Sequence, residues 1–305
     1  MTAVGLGLAA LGRPAYINLG HAGDLGGDRS PEALRARTHE VLDHAYSRGV
    51  RYFDAARSYG LAEEFLGGWL RSRSPAGVTV ASKWGYTYTA NWLIDVAAHE
   101  VKDLGAATLR RQLAETREHL GEWLELYQIH SATIESGVLE DADVLGQLAE
   151  LRRTGVAIGL TATGADQATT IDRAVATGAF DAVQATWNLH ERAAGPALAR
   201  AHAAGLRVVV KEAVANGRLA GSAAPAGLAA AARERGVGPD AIAIAAALAQ
   251  PWSEVVLSGA STTEMLDSNL AALEVTYDAE LDKRLAGLAE PSADYWSERG
   301  SLAWN

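Results

Sequence analysis

The sequence contains no cysteine, no long apolar run and no excess of basic residues. Without cysteine, the chain has no disulfide framework, no thiolate metal ligand and no cysteine nucleophile. No window approaches the roughly 18 apolar residues of a membrane span, and the amino terminus lacks the basic start of a secretory signal. The 27 Lys and Arg are outnumbered by 37 Asp and Glu, which argues against a nucleic-acid surface. We expect a soluble, cytoplasmic protein that binds neither nucleic acid nor membrane.

Short apolar, β-branched runs alternate with longer helical patterns along the 305 residues. Such alternation is typical of βα units in a parallel sheet. Eight runs predict strands: VGLGL (4–8), VRYFD (50–54), VTVAS (78–82), LELYQIH (124–130), VAIGL (156–160), FDAVQA (180–185), LRVVV (206–210) and EVVLS (254–258). Eight units in a chain of this length suit a closed barrel. We therefore predict an α/β fold, a (β/α)8 TIM barrel, with residues 1–305 in one domain.

Helices are predicted between these strands, for example at 31–49 and 108–121, where Pro opens or Gly closes the pattern. The Ala- and Gly-rich stretch 212–237 predicts a long loop followed by a helix. After the eighth strand we expect two helices. They and a polar, aromatic tail, about 274–305, should cover the active site or the barrel periphery.

The segment GLGLAA (5–10) matches one form of the dinucleotide-binding fingerprint of a doubly wound sheet. That fingerprint requires a helix to open inside it, yet Pro14 and further glycines follow. The match is therefore a weak argument for that fold.

Four polar residues are predicted beside the carboxyl ends of neighbouring strands. Asp54 ends the second strand, Tyr59 follows in its loop, Lys83 comes directly after the third strand, and His130 ends the fourth. Alone, each has a commoner structural role, such as a helix cap, a solvated end or a satisfied core histidine. The loops after barrel strands build the active site, so their shared location favours catalysis.

This grouping suits proton transfer to a carbonyl. A phenol has an ordinary pKa of about 10, and a neighbouring ammonium such as Lys83 should lower the pKa of Tyr59. Asp54 would hold Lys83 through a charge-assisted hydrogen bond, and His130 would orient a carbonyl oxygen.

The segments YFDAARSYG, SKWG and LYQIHS, in that order, resemble the Asp, Tyr, Lys, His tetrad of the aldo-keto reductase family. IGLTATG (158–164), VQATWN (183–188) and VVLSGASTTEMLDSNLAAL (255–273) resemble further segments of the family, so the likeness runs from about residue 4 to 273. It implies hydride transfer between a nicotinamide and an aldehyde, ketone or sugar carbonyl or alcohol, with Tyr59 as general acid and base.

The resemblance also implies a coenzyme site. The coenzyme it implies is NADP(H), with NAD(H) as the alternative, and the residues it assigns to that site are Gly7, Leu8, Thr161, Gln184, Lys211, Gly217, Leu219, Gly259, Ala260, Ser261, Thr262 and Asn269. In this chain Thr161 and Ala162 stand where the family usually has Ser-Asn. Lys211 stands where an aromatic ring commonly stacks under the nicotinamide. Two roles are open for it, an ion pair with Glu212 or a contact with a substrate anion, and the ion pair is favoured because buried charges are usually paired. Residues 259–269 contain no Lys or Arg to meet a 2′-phosphate, and Arg218 is the basic residue proposed to reach it.

Aromatic residues near these strand ends suggest a substrate pocket. Trp84, Tyr86 and Trp187 are the candidates, with Tyr88 and Trp92 following in the same loop as the first two. Packing is the default role of such rings. No metal spacing is recognisable among the eight histidines, so no metal is expected.

Two other functions remain open. A lyase on the same barrel would use Lys83 or Lys211 as a Schiff-base nucleophile. A cofactor-binding regulatory subunit would bind the nicotinamide with little turnover, because fold does not fix function. The sequence leaves the substrate, the reaction direction and the oligomeric state open.

Overall fold

The computed structural model describes residues 3–305 and contains ten strands, eight of which close a parallel barrel. In chain order they are β1 (Ala3–Gly7), β2 (Tyr52–Asp54), β3 (Thr79–Trp84), β4 (Tyr86–Tyr88), β5 (Glu100–Lys102), β6 (Leu124–Ala132), β7 (Ala157–Ala162), β8 (Ala182–Thr186), β9 (Arg207–Lys211) and β10 (Val255–Ser258). Around the barrel the order is β1, β10, β9, β8, β7, β6, β3, β2. Strands β4 and β5 form a separate antiparallel pair.

Twelve helices are found within the described residues. They are α1 (His21–Leu25), α2 (Pro31–Ser47), α3 (Ala62–Arg73), α4 (Ala106–Leu120), α5 (Ala142–Arg153), α6 (Gln167–Thr177), α7 (Gly195–Ala203), α8 (Ala226–Arg235), α9 (Pro239–Leu248), α10 (Thr263–Leu270), α11 (Ala279–Leu285) and α12 (Ser292–Ser301). Within residues 3–305, none of them has the length and apolar character needed to cross a membrane.

The predicted fold class is confirmed: all eight predicted strands are present and they close one barrel. The helix predicted at 31–49 is α2, whose first turn is capped by Ser30, since the Ser30 hydroxyl accepts a hydrogen bond from the Ala33 amide at 3.3 Å. The 212–237 stretch is a long loop with two short 3₁₀ turns followed by α8, as predicted. The strand pair β4 and β5 was not predicted, and the carboxyl-terminal tail forms α12.

The barrel interior is filled near the amino-terminal half of its strands. The side chains there are Tyr52, Ala81, Leu126, Ala182, Val209 and Val255. A larger apolar layer lies between the strands and the surrounding helices. Because the lower interior is packed in this way, as in other barrels of this kind, a ligand cavity has room only at the carboxyl edge of the sheet.

Helices α3 and α4 approach each other closely at Gly67. A Cβ atom built there would lie 2.1 Å from the backbone carbonyl oxygen of His119, whereas at Gly68 the nearest atom is 3.7 Å away, in the ring of His39. Arg71 Nη1 donates to the same His119 oxygen at 2.7 Å. The close contact therefore requires a residue without a side chain at position 67 but not at 68.

These adjacent glycines form a matched pair for a stability test. We expect Gly67→Ala to lower the free energy of unfolding by about 1–3 kcal/mol, because overpacking forces the helices apart. Gly68→Ala should be neutral or stabilising by up to about 1 kcal/mol, as is usual for this change inside a helix. Urea unfolding of both variants measures the difference, and equal effects would contradict the packing argument.

Candidate active site

Each barrel strand contributes one residue to the carboxyl edge of the sheet near the barrel mouth. They are Gly7, Asp54, Lys83, His130, Thr161, Gln184, Lys211 and Ser258. All of them except Lys83 line a cavity of about 690 Å³. This position, outside the carboxyl ends of the strands, is where barrel enzymes place their active sites.

Asp54 and Lys83 form a buried ion pair at the base of the cavity, with side chains 2 % and 1 % exposed. Lys83 Nζ donates to Asp54 Oδ1 and, at 2.9 Å, to the carbonyl oxygen of Ala55. The second carboxylate oxygen accepts hydrogen bonds from Gln184 Nε2 at 2.9 Å and Gln128 Nε2 at 3.3 Å. The carboxylate thus has the partners that a buried charge needs.

Tyr59 lies in the turn after β2 and lines the same cavity. Lys83 Nζ is 4.9 Å from the centroid of its ring, and Arg13 Cζ is 5.2 Å from it. Burial raises the pKa of the Tyr59 phenol, and the Asp54 carboxylate raises it further, although Arg13 opposes this. From the sequence we expected the pKa of Tyr59 to be lowered. The pKa is raised instead, because desolvation of the phenol outweighs the effect of the nearby cations.

His130 lies beside Tyr59 on the cavity wall. Their rings meet edge to face with centroids 5.5 Å apart, and the ring of Tyr86 also packs edge to face on the imidazole, at 4.9 Å. Burial lowers the pKa of His130 well below its usual value, and the positive charges of Lys83 and Lys211 lower it further. The imidazole is therefore neutral at physiological pH.

Arg13 is a buried cation that the sequence did not single out. Its Nη1 donates to the Ser58 carbonyl oxygen at 3.1 Å and to Glu100 Oε2 at 3.0 Å. The guanidinium also lies 4.6 Å from the ring of Trp304, which stacks on His99 at 4.0 Å. These contacts bring the carboxyl-terminal tail and strand β5 to the edge of the cavity.

A second ionic cluster joins the end of β9 to α12. Arg299 donates to Glu212 through Nη2 at 2.6 Å and Nε at 3.1 Å. Burial alone would raise the pKa of Glu212, but Arg299 and Lys211 lower it to about 2. Lys211 Nζ donates to Thr186 Oγ1 at 2.7 Å and lies 3.8 Å from Glu212 Oε1. The expected pairing of Lys211 with Glu212 is therefore long, and Arg299 is the principal partner of that carboxylate.

The residues expected to contact a coenzyme divide into two groups. Those that line the cavity are Gly7, Thr161, Gln184, Lys211, Gly217, Gly259 and Asn269. Those that the structure does not place on its wall are Leu8, Leu219, Ala260, Ser261 and Thr262. Leu8 and Leu219 are fully buried in the core, and Thr262 caps α10 by accepting from the Met265 amide at 3.2 Å.

The end of the cavity beside α10 carries no positive charge among its described lining residues. Asp240, Met265, Ser268 and Asn269 lie there. Asn269 Nδ2 donates to Asp240 Oδ2 at 2.7 Å.

Arg218, the basic residue proposed from the sequence to bind a 2′-phosphate, points away from the cavity. It pairs with Glu290 and, at 2.9 Å, with Glu298 of α12, and it does not line the cavity.

Of the aromatic pocket candidates, only Tyr86 lines the cavity. Trp84 is fully buried in the core, and Trp187 packs edge to face on Trp252 at 5.8 Å. Trp92 Nε1 donates to the Arg29 carbonyl oxygen at 2.6 Å. Two aromatic residues that were not among the candidates, Tyr16 in the loop after β1 and Trp304 in the tail, also line the cavity.

A family model described as the aldo/keto reductase family matches residues 5–290. The chain belongs to the aldo/keto reductase family. Membership indicates an oxidoreductase that acts on small carbonyl compounds. No curated protein matches the sequence.

Solved structures show the same barrel. A protein from Pseudomonas aeruginosa, proposed to be an aldo-keto reductase, is 26% identical over 89% of both chains, with a TM-score of 0.65. The holo form of aldo-keto reductase AKR11C1 from Bacillus halodurans is 21% identical, with a TM-score of 0.73 and coverage of 94% of this chain and 92% of that chain. At 21% identity the likeness extends to the fold alone.

The cavity of this aldo-keto reductase is compatible with a nicotinamide dinucleotide. Its volume lies within the range of cofactor sites, and it runs from Tyr59 and His130 to Asn269 at α10. The Asn216 Oδ1 atom, on a lining residue, is buried without a hydrogen-bond partner, as expected for an acceptor that a polar ligand satisfies. Within residues 3–305 no group of His, Asp and Glu is arranged to hold a metal ion.

Sequence reasoning missed Gln128, Arg13, Glu100, Arg299 and Asp240. A signal existed for Gln128, which precedes His130 by two residues and so points to the same face of β6. The others lie in a loop, in the β5 strand and in two helices, outside the carboxyl ends of the barrel strands. Their approach depends on tertiary packing.

The neutral state of His130 is directly measurable. Because burial and the surrounding cations oppose protonation, we expect the ring of His130 to show no titration between about pH 5.5 and 8, across the ordinary pKa of about 6.5. NMR of the protein with labelled histidines follows each ring, and His130→Gln identifies the resonance. An inflection near pH 6.5 in that resonance would contradict the assigned electrostatics.

Proposed function

We propose that this aldo-keto reductase reduces the carbonyl group of a small aldehyde, ketone or sugar with a nicotinamide coenzyme, or oxidises the corresponding alcohol. The observation that carries the proposal is that Tyr59 and His130 meet at 5.5 Å on one cavity wall, with Lys83 Nζ 4.9 Å from the Tyr59 ring. When bound, the reduced nicotinamide supplies a hydride to the carbonyl carbon. The protein supplies the proton and holds the oxygen.

Tyr59 is the proposed proton donor. Since burial raises its pKa, the phenol keeps its proton until negative charge develops on the substrate oxygen. Lys83 then stabilises the phenolate that remains, because an opposite charge nearby favours the ionised form. In alcohol oxidation the same phenolate takes the proton back. Asp54 acts through Lys83, whose position it fixes.

His130 is proposed to orient the carbonyl oxygen. As a neutral imidazole it has one N–H to donate. Its Nδ1 lies 3.5 Å from Ser58 Oγ, which leaves Nε2 for the substrate. A neutral donor suits this role because it polarises the carbonyl without competing with Tyr59 as an acid.

We propose NAD(H) as the preferred coenzyme, although the family resemblance on its own favoured NADP(H). Asp240 lines the cavity end beside α10, and Arg218 is paired with α12 instead. A carboxylate repels the additional phosphate of NADPH, whereas it accepts hydrogen bonds from ribose hydroxyls.

A Schiff-base lyase is the second candidate, because burial lowers the pKa of Lys211 to about 8 and a desolvated amine is a nucleophile. Lys83 is unsuited to this role, since Asp54 holds it as a cation. Borohydride added with a carbonyl substrate would trap an adduct on Lys211 in a lyase, and hydride transfer predicts no adduct. A regulatory subunit would bind coenzyme tightly with negligible turnover across a broad carbonyl panel.

Replacing the proposed proton donor tests the main proposal. We expect Tyr59→Phe to lower kcat for carbonyl reduction at least about 100-fold, the usual contribution of a positioned acid, while the coenzyme Kd changes little. Tyr46→Phe is the control, because the Tyr46 hydroxyl lies on the outside of the barrel, 3.3 Å from the Ala76 oxygen. Steady-state absorbance and fluorescence titration measure the two quantities. Near-normal turnover of Tyr59→Phe would refute the assigned role.

Coenzyme preference has its own test. We expect the protein to bind NADH more tightly than NADPH, and Asp240→Asn to improve NADPH affinity about three- to tenfold by removing a like charge. The control is Asp267→Asn, since Asp267 is 44 % exposed and pairs with His44 outside the cavity. Fluorescence titration gives both Kd values. Tighter binding of NADPH by the unaltered protein would overturn the preference.

A further inference from the structure

Lys211 is a partly buried cation that faces the cavity without a carboxylate at hydrogen-bond distance. Its side chain is 17 % exposed, and it lies on the cavity wall together with Tyr59 and His130. Its Nζ makes one short hydrogen bond, to Thr186 Oγ1 at 2.7 Å. At 3.8 Å, Glu212 Oε1 is beyond hydrogen-bond distance. An ammonium has three donors, so capacity remains for a ligand.

The carboxylates around the inner cavity are already bound to other cations. Asp54 holds Lys83, and Glu100 holds Arg13 at 3.0 Å. Glu212 accepts from Arg299 at 2.6 Å and from Thr186 Oγ1 at 3.1 Å.

When these pairs are matched one to one, Lys211 is the cation left over among the described residues that line this end of the cavity. A buried charge without its own counter-ion is costly, and an anionic ligand would relieve that cost.

The protonation behaviour of the neighbourhood is consistent with excess positive charge. Burial, opposed by Glu212 and assisted by Arg299 and Lys83, lowers the pKa of Lys211 to about 8. Burial is the largest cause of the lowered pKa of His130. The charges that lower this pKa further are cations, among them Lys211 and Arg13. An anion placed between these groups meets a positive potential.

We propose that Lys211 binds the carboxylate of an anionic substrate, so that the carbonyl compounds this enzyme prefers are oxo acids. The inference rests on the proposed carbonyl reduction and names its substrate class. Lys211 contributes a point charge and hydrogen-bond donors from β9, while Tyr59 and His130 address the carbonyl oxygen from β2 and β6. A neutral aldehyde of the same shape would leave the positive charge of Lys211 without a counter-ion.

Binding and turnover of matched compounds test this assignment. Succinamate and succinamide differ in one charge and do not react, so calorimetry at pH 7, with and without NADH, measures the anion preference independently of catalysis. We expect tighter binding of succinamate and a 10- to 100-fold loss of that binding in Lys211→Met, the range for a charged hydrogen bond. Lys211→Arg, which keeps the charge, should retain most of the preference.

Turnover should follow the same order. We expect kcat/KM for succinic semialdehyde to exceed that for its methyl ester, and Lys211→Met to remove this difference. Lys283→Met is the matched control, because Lys283 is exposed on α11 and does not line the cavity. Its acid-to-ester ratio should be unchanged.

Three results would overturn the assignment. The first is equal binding of succinamate and succinamide by the unaltered protein. The second is a Lys211→Met variant, folded by circular dichroism, that keeps the preference. The third is loss of NADH affinity in that variant with the acid-to-ester ratio intact, which would assign Lys211 to the coenzyme. Absence of turnover with every carbonyl would instead refute the proposed reduction, and the calorimetry would still decide the anion site.

Discussion

The buried ion pair of Asp54 and Lys83 is the constraint on which the site depends. Two charges out of water are stable only when their remaining lone pairs and protons are also bonded. Gln128, Gln184 and the Ala55 carbonyl satisfy that requirement. These groups come from the neighbouring strands β2, β3 and β6, from the residue after β2, and from β8, which only β7 separates from β6. The candidate site therefore depends on the pairing of these strands, and loss of either charge leaves the other unpaired.

Most of the fold and the tetrad were predictable because both depend on short-range patterns. Apolar runs such as RVVVK in β9 give strands, and parallel strands bring their carboxyl ends to one edge. Asp54, Lys83 and His130 follow from that rule alone. The placement of Trp187 does not, since its ring leaves the strand end to pack on Trp252. Arg13 and Arg299 reach the cavity through loop and helix packing, which has no signature in local sequence.

The carboxyl-terminal helix α12 holds the residue after β9 in place beside the cavity. Glu212 adopts a positive φ of 57° directly after β9, a conformation that costs a non-glycine residue about 1–3 kcal/mol. Its carboxylate is held there by Arg299 of α12, and the Asn188 amide binds both the Glu212 oxygen and the Tyr295 hydroxyl. The tail then pairs with Tyr16 through Asn305. The strained residue is thus fixed by the segment that borders the cavity.

Charge is distributed unevenly along the cavity, and the two ends impose different demands on what binds. At the inner end Lys211 adds a positive charge beyond the matched pairs, whereas Asp240 makes the end beside α10 negative. A ligand that fills the whole length is stabilised when its negative charge lies toward Tyr59 and its neutral, hydroxyl-bearing part lies toward Asn269. An oxo acid beside a coenzyme without the 2′-phosphate has that distribution. The proposed substrate class and the proposed coenzyme preference are therefore consequences of one charge pattern, set by residues that the catalytic tetrad does not include.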